Sequence, residues 1–162
     1  MINITKKILS FSIVATSILF TGCSRDATTG FDKDSIYAQN LQYTKIAKII
    51  TNNEVEVLLN ITYLNSTNSE KWNNGYQNFL ISKYFTDDNK IVKDSFTLSD
   101  QAVSSSVIVN KTDRIYKNIA LRNNWADYKI VSFKDTDNIS KTISLQYNYN
   151  DTAKAVVTFV TE

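Results

Sequence analysis

Alternation constrains this chain more than any other feature. From Thr142 to Tyr149, Ile143, Leu145, Tyr147 and Tyr149 fall on one side, with Thr142, Ser144, Gln146 and Asn148 on the other. Side chains of an extended backbone point to opposite faces in turn, so a period of two marks a half-buried strand. Asn150-Asp151 follows, and then Ala153, Ala155, Val157 and Phe159 alternate again, which predicts a terminal hairpin. Val55, Val57, Leu59, Ile61 and Tyr63 form another such face, opposite Glu54, Glu56, Asn60 and Thr62.

Further strands are predicted over residues 43–50, 76–85, 91–98, 103–110, 115–121 and 128–133. In the first of these, Tyr43, Ile46, Ala47 and Ile50 also fit one face of a helix. Thr51-Asn52-Asn53, Asp87-Asp88-Asn89, Asn123-Asn124 and Asp135-Thr136-Asp137-Asn138 separate the strands. Asn and Asp tolerate left-handed backbone and hydrogen-bond their own main chain, so each of these stretches can turn. Eight or nine short strands with turns every ~8–12 residues predict an all-β sandwich or barrel.

The N-terminus carries a different signal. Lys6 and Lys7 precede an apolar run from Ile8 to Phe20 that contains nothing more polar than Ser and Thr. A membrane-spanning helix needs about 20 apolar residues, and this run is too short to remain as an anchor. It has the n-region and h-region of a secretory signal. Phe20-Thr21-Gly22-Cys23 then resembles the lipobox of bacterial lipoproteins, with Phe20 in place of the usual Leu. The resemblance implies cleavage before Cys23 and acyl chains on its thiol and its new amine. Residues 1–22 are therefore expected to be a cleaved signal peptide, recognised through Phe20, Thr21 and Gly22. Ser24 is not the Asp that commonly holds such proteins in the inner membrane, so the resemblance favours the outer membrane. A single acyl chain holds marginally, whereas two or three hold firmly at about 0.8 kcal/mol per buried CH₂.

Residues 23–40 read as the lipidated Cys and a tether, small and polar through SRDATTG, which as a coil would span about 23 Å. Asp32 or Asp34 could cap a short helix running through Asn40. The β-sandwich domain is expected over residues 41–162. Of the 18 Lys and Arg, Lys6 and Lys7 leave with the signal, so 16 basic residues face 16 acidic ones. Nothing in that balance suggests nucleic-acid binding, which rests on neutralising phosphates.

The available chemistry is narrow. With no His and with its single Cys consumed by lipidation, the chain lacks His-based triads, a catalytic Cys and ordinary zinc ligands. Gly30 and Gly75 alone cannot build a phosphate-cradling loop. Glu54 and Glu56 share a strand face about 7 Å apart, near the separation of a glycosidase pair, but their polar neighbours point to a solvated face. Asp87-Asp88-Asn89 and Asp135-Asp137-Asn138 offer oxygen ligands without the ordered spacing of a calcium loop, so no metal and no cofactor is assigned. Lipobox, tether and an antiparallel run containing VEVLLNITYLN together resemble small bacterial lipoproteins carrying one immunoglobulin-like sandwich. That resemblance implies an antiparallel sandwich of about 7–9 strands and carries no catalytic residues with it.

Two segments share an unusual composition. Trp72-Asn73-Asn74-Gly75-Tyr76 and Asn123-Asn124-Trp125-Ala126-Asp127-Tyr128 each set an Asn pair beside a Trp, with a Tyr three or four residues beyond it. Flat rings next to amides suit sugar stacking or protein contacts, whereas the same residues can equally plug the end of a sandwich and turn the chain. Trp72, Asn73, Asn74, Tyr76, Asn123 and Asn124 are the candidate contact residues. Trp72 follows the polar stretch 65–71 and is expected to be exposed. Trp125 precedes Tyr128, Ile130 and Phe133 and is expected to be buried. The function expected is that of a membrane-anchored, non-enzymatic module for protein interaction or envelope assembly. A carbohydrate- or peptidoglycan-binding module is the alternative, and a carboxylate hydrolase stands behind both. The partners expected are the membrane, through Cys23, and an envelope protein or glycan.

Overall fold

Pairing follows the alternation. The computed structural model describes residues 36–87, 92–136, 141–150 and 152–161, within the compact unit Phe31–Glu162. The expected signal, Cys23 and the tether up to residue 35 lie outside the described residues, as do Asp88, Asn89, Asp137 and Asn138 of the two acidic turns. One sheet runs in the order β1 (Thr44–Thr51), β2 (Glu54–Tyr63), β3 (Tyr76–Phe85), β7 (Asp127–Lys134) and β6 (Ser105–Ile108). The other runs β5 (Gln101–Ala102), β4 (Asp94–Leu98), β8 (Thr142–Tyr149) and β9 (Ala153–Val160). Every pairing is antiparallel, and the two sheets form a β-sandwich.

Turn chemistry sets the hairpins. Asn52 and Asn53 have φ of 52° and 66°, and Ser99 and Asp100 have φ of 47° and 68°. Two consecutive left-handed residues match the right-handed twist of the strands they join. The inward residues of both sheets then meet. Val57, Leu59, Ile61 and Tyr63 of β2, Phe79 and Ile81 of β3, and Val131 and Phe133 of β7 pack on Phe96, Leu98, Ile143, Leu145, Tyr147, Val157 and Phe159. Tyr63, Phe79, Phe133 and Phe159 form the aromatic centre, with ring centroids 5.2 to 5.9 Å apart.

The chain crosses between sheets from β3 to β4, back from β5 to β6, and again from β7 to β8. β3 pairs with β7 in one sheet while β4 pairs with β8 in the other, so the two crossings interlock. On one flank β1 lies beside β9 and closes the sandwich. The opposite flank is bounded by the short strands β5 and β6.

The first sheet is buried on its outer face as well. α1 (Ile36–Gln42), α2 (Ser69–Trp72) and α3 (Arg114–Lys117), with their loops, lie on that side. Leu64, Leu80, Val109, Tyr116, Ile119, Ala126 and Tyr128 form a second core there, and Trp72, Ile115 and Ile130 pack against it. Burial on both faces explains why β3 is continuously buried from Gln77 to Ser82.

The structure corrects several expectations. Residues 115–121, predicted as a strand, contain the end of α3 and a loop. Tyr116 and Ile119 are both buried in the second core, and an odd spacing of three puts two residues on one side of a helical turn but on opposite sides of a strand. The strand predicted over 103–110 shortens to β6, with the two-residue β5 before it. The two Trp expectations reverse. Trp125 is 82% exposed, whereas Trp72 packs partly buried on the second core. Ala126 and Tyr128 occupy the buried positions at the start of β7 that had been assigned to the indole.

Candidate functional site

The two Trp-Asn segments do not converge. Tyr76 pairs with Lys134 and Lys83 with Asp127, so the segments join opposite ends of the β3–β7 pair. Seven residues of strand separate those ends by about 23 Å.

At the first end the asparagines build structure. Asn65 Nδ2 donates to the carbonyls of Tyr76 (2.8 Å) and Trp72 (3.1 Å) and to Asn73 Oδ1 (3.3 Å). Asn78 Nδ2 donates to Trp72 O (2.9 Å), Tyr76 O (3.0 Å) and Asn74 Oδ1 (3.1 Å). The Asn78 amide donates to Asn65 Oδ1 at 2.7 Å, and Ser132 Oγ donates to Asn78 Oδ1 at 2.8 Å. Asn65 and Asn78 are both buried, so this network closes α2 onto the sheet and delivers Trp72 to the second core. Beside it, Tyr63 donates to Gln77 Oε1 at 2.5 Å. Burial, with the Asp135 carboxylate adding to it, pushes the Tyr63 phenol up to about 12.

At the second end the asparagines hold a projecting loop. Tyr128, buried in the second core, accepts from the Asn123 amide at 2.6 Å and donates to the Asn123 carbonyl at 2.9 Å. Asn123 Oδ1 accepts from the Trp125 amide at 2.9 Å, and Lys111 Nζ donates to the Asn124 carbonyl at 3.1 Å. Leu121, with φ of 54°, bends the chain into this loop. The turn is fixed from below and its indole is left in solvent.

Next to that loop the sandwich opens. A groove of about 610 Å³ opens at this end of β3, β7 and β6, lined by Lys83, Ile108, Asp127 and Lys129 from the inner side of the first sheet and by Val109, Ala126 and Tyr128 from the second core, with Lys111 beside them. A second cavity of about 390 Å³ lies between the sheets and contains Asp94, Phe96, Ser106 and Lys129. Lys129 and Ser106 line both. Lys83 Nζ donates to Asp94 Oδ2 at 2.5 Å. Lys129 has its ammonium 4.8 Å from the centre of the Phe96 ring. Among the described residues no carboxylate forms an ion pair with it. Burial lowers the Lys129 pKa, Lys83 lowers it further, and Asp94 and Asp127 act in the opposite sense. Burial likewise raises the phenol of the neighbouring Tyr147, with the Asp94 charge adding to the effect.

β6 borders this groove and is the free edge of its sheet. All four of its residues are exposed, Val107 by 57% and Ile108 by 75%. The Val109 amide donates to Tyr128 O at 2.9 Å. Antiparallel alternation then turns the backbone of Val107 toward β7 and the backbone polar groups of Ser106 and Ile108 outward. Ile108 sits opposite Lys129 and Ser106 opposite Val131, on the inner face.

The lysines were not among the candidate residues, although the sequence carries their signal. Phe79, Ile81, Lys83 and Phe85 share one face of β3, and Lys129, Val131 and Phe133 share one face of β7. A charge at an inward position is a departure from the alternation that defines the fold. Elsewhere, Glu54 is exposed and the Glu56 carboxylate accepts from the Tyr149 hydroxyl. Among the described residues no three His, Cys, Asp or Glu side chains gather as a metal site requires, and no helix is long and apolar enough to cross a membrane. No protein-family model, curated protein or solved structure matches the chain.

Proposed function

We propose that this chain is an envelope lipoprotein, anchored through acyl chains on Cys23, whose sandwich is immunoglobulin-like and acts as a non-enzymatic protein-interaction module. The wiring supports the immunoglobulin-like reading. With β2, β3, β7 and β6 taken as strands A, B, E and D, and β4, β8 and β9 as C, F and G, the sheets follow the orders ABED and CFG. The β6 edge carries the interaction reading. Natural sheets protect their edges with charges, proline, bulges or covering segments, and β6 reads Ser-Ser-Val-Ile with both apolar side chains exposed. Such an edge suits a partner that adds a strand to it.

Two measurements test the reading together. Cys23→Ser should release the protein from membranes, and a photo-crosslinker at Val107 should trap a discrete envelope protein where one at Thr158 traps none. Equal trapping at both positions, or a Cys23→Ser protein that stays membrane-bound, would refute the corresponding half. The glycan-binding reading rests on the exposed Trp125 ring. It predicts quenching or a blue shift of Trp125 fluorescence on adding peptidoglycan fragments.

A further inference from the structure

The β6 edge and the lysine groove occupy one place on the molecule, and each lacks what the other's ligand would supply. We propose that this flank receives an extended acidic segment of a partner protein, which adds to β6 as a strand and sets a carboxylate against Lys129. The inference rests on the protein-interaction reading above and names the chemistry of the partner.

Three observations converge on it. First, the outward backbone groups of Ser106 and Ile108 belong to the face that lines the groove. An incoming strand alternates as β6 does. Its residues beside Ser106 and Ile108 face the lysines, and those beside Val107 face the opposite side, where Val107 is exposed. The complementary segment therefore alternates acidic and apolar residues.

Second, the charge is unbalanced. Lys83, Lys111 and Lys129 line the groove with Asp127 as the only acid among the described residues of its lining, and Asp94 is already paired with Lys83. Lys129 lies on the strand next to β6. A side chain on an added strand starts two strand spacings from Lys129, about 10 Å, a gap that a lysine and a glutamate side chain span together.

Third, Lys129 is poised for an anion. Its ammonium is partly desolvated and rests on the Phe96 ring, with no carboxylate paired to it among the described residues. A half-buried cation that has already lost water binds an anion more strongly than an exposed one does. A second copy of this chain is the weaker occupant, because pairing β6 with β6 would bring two sets of lysines onto one interface.

The probes are two acetylated, amidated heptapeptides that alternate valine with glutamate or valine with glutamine, titrated into the full chain in detergent. The glutamate peptide should bind at least tenfold more tightly than the glutamine peptide, and the difference should shrink in high salt. Lys129→Met should abolish the preference while leaving glutamine-peptide binding in place. Ser106→Pro should abolish binding of both, since its amide points away from β7 and the sandwich ladder survives the change. Equal affinities for the two peptides would overturn the carboxylate site and leave strand addition standing. Binding untouched by Ser106→Pro, or absent altogether, would overturn strand addition at β6 and the inference with it. A dimer cross-linked through Val107 would assign the edge to a second copy instead.

Discussion

One local composition has two fates in this molecule. At residues 72–78 an Asn pair, a Trp and a Tyr become part of the framework, while at residues 123–128 the same ingredients hold a Trp out in solvent. The difference lies in what each asparagine finds to bond. Asn73 and Asn74 give their side-chain oxygens to Asn65 and Asn78, two buried amides, one in the turn after β2 and one in β3. Asn123 instead bonds to the Trp125 amide two residues on and closes a turn upon itself. Buried partners pull a segment inward, whereas a bond closed within an exposed turn leaves its far side free.

The largest effect is expected where the framework segment depends on one side chain. Asn78→Ala removes the donor to Trp72 O, Tyr76 O and Asn74 Oδ1 and strands Ser132 Oγ. Unsatisfied buried polar groups cost ~1–3 kcal/mol each. Urea unfolding should show a loss of about 3 kcal/mol, a large part of the ~5–15 kcal/mol that holds a domain together. A loss under 1 kcal/mol would mean that α2 is held by packing alone.

Trp72→Ala comes next. A fully buried Trp costs ~3–5 kcal/mol on truncation, and this ring is only partly covered, so about 2 kcal/mol is expected from the same unfolding curves. Lys71 Nζ, 4.7 Å from the ring centre, loses its aromatic partner as well, a contact worth ~0.5–1 kcal/mol at an exposed site. An unchanged midpoint would remove Trp72 from the framework and equate the two segments.

Much of this architecture was legible in the alternation. β3 and β8 have the predicted bounds, and Asn52-Asn53 and Asn150 turn with positive φ. These features are set within a few residues, by pleat and by turn chemistry. The outer layer was not legible, because its order depends on residues far apart in sequence. Trp72 meets a core assembled from Leu64, Leu80, Tyr116 and Tyr128, and no window around position 72 contains the last two. Asn73 and Asn74, two of the candidate contact residues, bond through their side chains to Asn65 in the turn after β2 and to Asn78 of β3. The groove was half legible. Lys83 and Lys129 interrupt inward faces in the sequence itself, yet only the sheet order reveals that both interruptions fall on one uncovered flank beside a free edge.

The smallest effect on stability is expected at Trp125. Its ring is 82% exposed, and the contacts that shape its loop run through backbone groups and through Asn123, Tyr128 and Lys111. None of them uses the indole. Surface substitutions of this kind usually stay within ~0.5 kcal/mol, so Trp125→Ala should leave the unfolding midpoint in place. Because Ala126 and Lys111, on either side of this loop, also line the groove, the same substitution should weaken any ligand that extends past the groove's end. Binding of a partner longer than the heptapeptides should then fall while that of the heptapeptides holds. Iodide quenching of the two single-Trp proteins checks the structural half directly, with Trp125 quenched readily and Trp72 protected. A midpoint lowered as far as by Trp72→Ala would show that the exposed ring supports the fold after all, and the contrast between the two segments would disappear.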